Sequence, residues 1–81
     1  MHRRHRATGL AASDIGTRVR LTGVGLIGAD LLRLAEFGLR PGAVLTVLGR
    51  TAGGGRLVSL GTSRVVLDEA TARGLTVEAA Q

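Results

Sequence analysis

Leu31 to Gly42, LLRLAEFGLRPG, packs a short amphipathic helix, a helix stop and a tight turn into twelve residues. Leu31, Leu34 and Ala35 recur at i, i+3 and i+4 and share one helix face. Asp30 falls in the first turn, where a carboxylate suits the free N–H groups and the positive end of the helix dipole. Arg33 and Glu36 point elsewhere and stay solvated. Gly38 is the expected left-handed stop, after which Leu39 folds back onto the helix. Arg40-Pro41-Gly42-Ala43 has Pro second and Gly third, the signature of a type II turn. Val44 to Leu48 follows as a run of strand formers. A unit of this kind belongs between strands of a small barrel.

The rest of the chain reads as one small domain with an arm. Its 81 residues make one domain and bury only about 60% of the unfolded surface. Phe37 is the only aromatic, so the core must be Leu, Val, Ile and Ala. Met1 to Ala12 reads as a disordered basic arm, and residues 13–81 as the domain. Thr17 to Leu21 alternates Val19 and Leu21 inward with Arg18 and Arg20 outward, a half-buried strand. Thr22 to Gly28 reads as a loop, and Val44 to Arg50 as the second strand. Thr51 to Gly55 is a flexible glycine-rich connection. Leu57 to Leu60 and Arg64 to Leu67 form a hairpin around Gly61-Thr62-Ser63. Asp68 caps one helical turn that Gly74 stops, and Leu75 to Glu78 is the last strand. The expected architecture is mainly β: a five-stranded SH3-like barrel with one short helix between the first and second strands.

Several function classes are excluded on chemistry. The chain has no cysteine, which removes disulfides, thiolate metal sites and cysteine nucleophiles. No histidine lies inside the domain to act as a base, and Ser13, Ser59 and Ser63 have no activating partner. An enzyme is not expected, and neither a metal nor a cofactor is. His2 and His5 lie on the arm without further ligands, short of the four a structural site requires. Gly23-Val24-Gly25-Leu26-Ile27-Gly28 matches G-x-G-x-x-G, but the βαβ frame of a dinucleotide site is missing. No apolar run reaches the roughly 18 residues of a membrane helix, and the N-terminus has no signal-type apolar region.

The formal net charge is +5, and all eleven basic residues are Arg. Arg3, Arg4 and Arg6 carry three of those charges, so the remainder of the chain is close to balanced at +2. The arm can make salt-sensitive phosphate contacts. Specific single-strand binding is not expected, because such proteins stack bases on aromatic platforms.

From Gly16 to Glu78 the chain resembles the FeoA family, small accessory proteins of bacterial ferrous iron uptake. The anchor is LLRLAEFGLRPG, similar to the family's helix and leucine-glycine-x-x-proline-glycine turn, with Phe37 where leucine is commoner. Asp14 to Val19 resembles the family's opening, and Ser63 to Leu67, Ala70 and Leu75 to Glu78 its closing hairpin, turn and strand. The loop Thr51 to Gly55 departs from the family in having no proline. The resemblance implies an SH3-like barrel in a cytoplasmic regulatory protein that binds FeoB, the GTPase-permease for ferrous iron. The expected contact face is Arg33, Glu36, Phe37, Leu39, Arg40 and Pro41. Two alternatives stand beside it: nucleic-acid binding through the Arg-rich arm, and a domain of an iron-dependent repressor.

Overall fold

A computed structural model of the protein describes residues 8–80. The elements in order are β1 (Thr8–Gly9), β2 (Arg18–Val24), α1 (Gly28–Glu36), β3 (Val44–Arg50), β4 (Arg56–Leu60), β5 (Ser63–Leu67), α2 (Glu69–Arg73) and β6 (Leu75–Ala79). Leu10–Ala12 and Ala52–Gly54 form single 3₁₀ turns. All strand pairs are antiparallel, in the order β1-β6-β2-β3-β4-β5.

Alternation sets the faces of the central strands. Val19 and Leu21 of β2 point inward between half-buried or exposed neighbours, as do Leu45 and Val47 of β3. Leu75 and Val77 of β6 do the same. Together with Leu34, Leu39, Val58 and Leu67 they make one aliphatic core. Each buried side chain of this size is worth roughly 1.5–3 kcal/mol relative to exposure. No aromatic ring takes part: Phe37 is exposed, and so are Ile15 and Ile27.

The expected five-stranded closed barrel is therefore corrected to a six-stranded open sheet among the described residues. Its edges, β1 and β5, do not pair with each other. The helix consequently lies between the second and third strands. The extra strand comes from the segment read as arm. Thr8 and Gly9 pair with Val77 and Thr76, and Leu10 is fully buried. Thr8 to Ala12 thus belong to the folded domain, because Leu10 has a core site and β6 offers an edge to Thr8 and Gly9. Arg3, Arg4, Arg6, His2 and His5 lie outside the described residues.

Two local readings also change. β2 runs on through Thr22, Gly23 and Val24, with a bulge between Leu21 and Gly23 that keeps it paired to β6. The glycine-rich motif there serves packing. Gly25 N–H donates to the carbonyl of Gly74 at 2.6 Å, and a Cβ on Gly25 would stand 3.1 Å from that oxygen. Gly74 ends α2 in right-handed conformation; its missing side chain makes room for Leu26 instead.

Thr51 to Gly55 is also less free than its composition suggests. Gly55 and Arg56 are buried. The Arg56 guanidinium donates from Nη1 to the carbonyls of Gly54 at 3.1 Å and Gly55 at 2.9 Å, and from Nη2 to that of Ala11. It thereby ties the N-terminal 3₁₀ turn to the loop before β4.

Asp68 behaves as expected of a cap. The Thr71 N–H donates to its Oδ1 at 2.8 Å. That backbone bond, with a second contribution from the Thr71 side chain, holds the carboxyl below its ordinary value. A lowered native pKa favours folding above the unfolded pKa, and the gain is lost as pH falls through the native one. Asp68→Ala is therefore expected to lower Tm near neutral pH, with the gap to wild type closing in acid. Parallel thermal melts across pH check both parts.

Candidate partner-binding site

α1 has no side-chain cap at its start, where Ile27 is extended and exposed. Asp30 supplies the acidic residue of the first turn. Its end is held more firmly. Leu39 N–H donates to the Leu34 carbonyl at 2.9 Å, and Gly38 N–H to that of Ala35 at 2.9 Å. Gly38 has φ 91°. This is the Schellman arrangement, with its apolar contact made by Leu34 and Leu39, both in the core. The turn follows directly: Ala43 N–H reaches the Arg40 carbonyl at 2.9 Å, and Gly42 has φ 97°. That is the type II geometry expected of Pro-Gly. Gly42 N–H then bonds the Leu21 carbonyl at 2.7 Å, and Leu21 N–H the Ala43 carbonyl at 2.8 Å. The helix end and turn are thus fixed to β2.

Five of the six expected contact residues lie at the surface: Arg33, Glu36, Phe37, Arg40 and Pro41. Leu39 does not. It is 0% exposed, spent on closing the helix, and is removed from the contact face. An apolar residue beside an exposed turn suits either role in sequence; the Schellman bond decides for the core.

Phe37 is 53% exposed and borders a groove between α1 and β5. Leu26, Asp30, Arg33 and Phe37 form one wall, and Val65, Val66 and Asp68 belong to the other. A second groove adjoins it, lined by Glu36, Phe37, Arg64 and Val66 among others. The β5 wall was not foreseen. Its one sequence signal is Val66, an apolar residue at an outward position of a short strand.

The groove has apolar walls and charges of both signs at its rim. The Asp68 carboxyl beside it is pushed down by capping, which does not suit a proton acceptor at neutral pH. No three His, Cys, Asp or Glu side chains gather to hold a metal ion among the described residues. Among them, no helix is long and apolar enough to cross a membrane. A fixed, apolar, charge-rimmed surface with an exposed ring fits contact with another protein chain.

No curated protein matches this chain significantly. Solved structures do. One is the crystal structure of an iron uptake regulatory protein, FeoA, with TM-score 0.81 and 21% identity, covering 93% of this chain and 99% of that one. The FeoA protein of Chlorobium tepidum is 28% identical with TM-score 0.83, covering 91% of this chain and 71% of that one. A manganese-dependent transcriptional repressor shares the fold at TM-score 0.81 and 23% identity, over 96% of this chain and 44% of that one. The FeoA domain model matches residues 8–79, beginning at the strand that pairs with β6 and ending with β6 itself. With the helix, Schellman stop and turn all in place inside that span, the chain belongs to the FeoA family.

Proposed function

We propose that this protein is a non-catalytic cytoplasmic regulator of ferrous iron uptake, acting by contact with the cytoplasmic part of a FeoB-type GTPase-permease. Family membership supports the pathway. The observation that carries the mode of action is Phe37. The chain's only aromatic residue is left half exposed at the end of a helix that backbone bonds hold rigid. Rigid exposed aromatics serve as interface anchors because they bury much area at little entropic cost. Arg33, Glu36, Arg40 and Pro41 complete the face. The likeness to the manganese-dependent repressor reports the shared fold.

A pull-down on the cytoplasmic domain of the permease tests the face. Wild type is expected to be captured, and Arg40→Glu to be captured several-fold less, with the difference shrinking as salt rises. Equal capture would remove Arg40 from the face, and no capture of wild type would remove the partner.

A further inference from the structure

β5 is an edge of the sheet, and among the described residues no strand covers its outer side. Its hydrogen-bonding phase follows from the hairpin. Leu60 and Ser63 flank a two-residue loop and are a bonded pair, so Ser63, Val65 and Leu67 bond β4. Arg64 and Val66 therefore turn their N–H and C=O groups outward. The Val66 side chain is 66% exposed. An edge of this kind is a template for another strand.

The residues along it are self-complementary. Arg64, Val66 and Asp68 occupy alternate positions, an apolar residue flanked by opposite charges. Asp68 is extended, with φ −72° and ψ 170°, and so continues the strand direction. Two-fold antiparallel pairing about Val66 sets Val66 against its copy and each Arg64 against Asp68 of the other molecule. Centring on Val65 instead would oppose Arg64 to Val66 and leave Asp68 without a charge opposite. Centring on Arg64 would oppose like charges. Among the described residues, neither Arg64 nor Asp68 forms an ion pair within its own chain.

We propose that β5 is a self-association edge, on which two copies of this chain pair antiparallel about Val66 through main-chain bonds and two Arg64–Asp68 pairs. The edge overlaps the grooves beside Phe37, but self-association is read without the permease present. The contact is smaller than a standard interface and its ion pairs are exposed, so monomers and dimers exchange at concentrations of about 0.1 mM.

Sedimentation equilibrium on the full chain from about 10 µM to about 1 mM tests this. Wild type is expected to rise from 8.3 kDa toward twice that mass. Val66→Asp sets two carboxylates on the axis and is expected to stay monomeric. Arg64→Glu opposes two acids twice and is expected to weaken the dimer about tenfold or more, most at low salt. Circular dichroism confirms that both variants are folded. The chain has no cysteine, so a single introduced thiol reports proximity. Facing Cα atoms in a bonded antiparallel pair are about 5.5 Å apart, within disulfide reach. Val66→Cys is expected to oxidise to a covalent dimer much faster than Ile15→Cys, which is exposed in the segment bonded to β3. Wild type that remains at 8.3 kDa throughout overturns the proposal. So does a dimer that survives Val66→Asp, or a Val66→Cys thiol that oxidises no faster than the Ile15→Cys one.

Discussion

Gly55→Ala is expected to destabilise the domain by about 3 kcal/mol or more, the upper end for an overpacked site. A Cβ there would stand 2.3 Å from the Leu67 carbonyl oxygen and 2.4 Å from the Thr51 Oγ1. The first is a backbone atom of β5, so it moves only if β4 and β5 separate where Arg56 faces Leu67. Backbone conformation is not the obstacle, since Gly55 has φ −78°. Two further glycines isolate the cause. Gly53 has φ 81° and open space around its missing side chain, so Gly53→Ala costs only the left-handed conformation, about 1–2 kcal/mol. Gly49 has open space and an ordinary φ, so Gly49→Ala is expected to be nearly neutral. Urea titrations of the three variants should rank them in that order. A Gly55→Ala protein as stable as Gly49→Ala would contradict the packing described for the loop.

Leu10→Ala is the second large effect, expected at about 3 kcal/mol within the 2–5 kcal/mol range of buried leucine truncations. Leu10 is 0% exposed and is part of the same core as Leu75 and Val77. In a domain of this size the loss corresponds to a drop in Tm of roughly 12–24 °C. The 3₁₀ turn packs against α2 and β6, so losing the Leu10 side chain loosens those contacts too. β1 is two residues long, and Ala11 is held through the Arg56 guanidinium. Loosening the 3₁₀ turn would leave a buried cation short of an acceptor, which adds to the cost. A Tm change of only a few degrees would return residues 8–12 to the status of a dispensable arm.

These two sites show where the fold was legible in sequence and where it was not. The stop at Gly38, the turn at Pro41-Gly42 and the cap at Asp68 are local devices, each set by the special chemistry of one or two residues. Neighbouring residues alone suffice to read them. β1 is different. Thr8-Gly9 is too short to show periodicity and Gly9 is a poor strand former, so the pair is a strand because β6 presents an edge to it. Arg56 misleads for a related reason. An arginine at the start of a strand reads as solvent-facing, yet here it is 5% exposed because carbonyls from two loops converge on it. The open sheet follows from the same long-range facts. Adding β1 to the β6 edge makes β1 and β5 the two ends, and nothing in the alternation of β5 says what lies beside it.

The contact face was legible by halves. Arg33, Glu36, Phe37, Arg40 and Pro41 sit on one continuous stretch, so their exposure follows from helix phase and turn type. Sequence alone places Leu39 on the face because it is apolar next to a turn, whereas the bond from its N–H to the Leu34 carbonyl places it inside. The β5 wall of the groove lies some thirty residues further along the chain. Only the tertiary fold sets Val66 near Phe37, and a pattern of short range cannot report it.

The exposed end of α1 is proposed to anchor a partner chain. Isothermal titration of the permease's cytoplasmic domain with wild type and with Phe37→Ala tests it most directly. Removing a half-exposed ring should leave the fold intact, which a thermal melt of the free variant verifies. Wild type is expected to bind and Phe37→Ala to bind about 30-fold more weakly, the loss of an anchor worth about 2 kcal/mol. Equal affinity for the two proteins would contradict it.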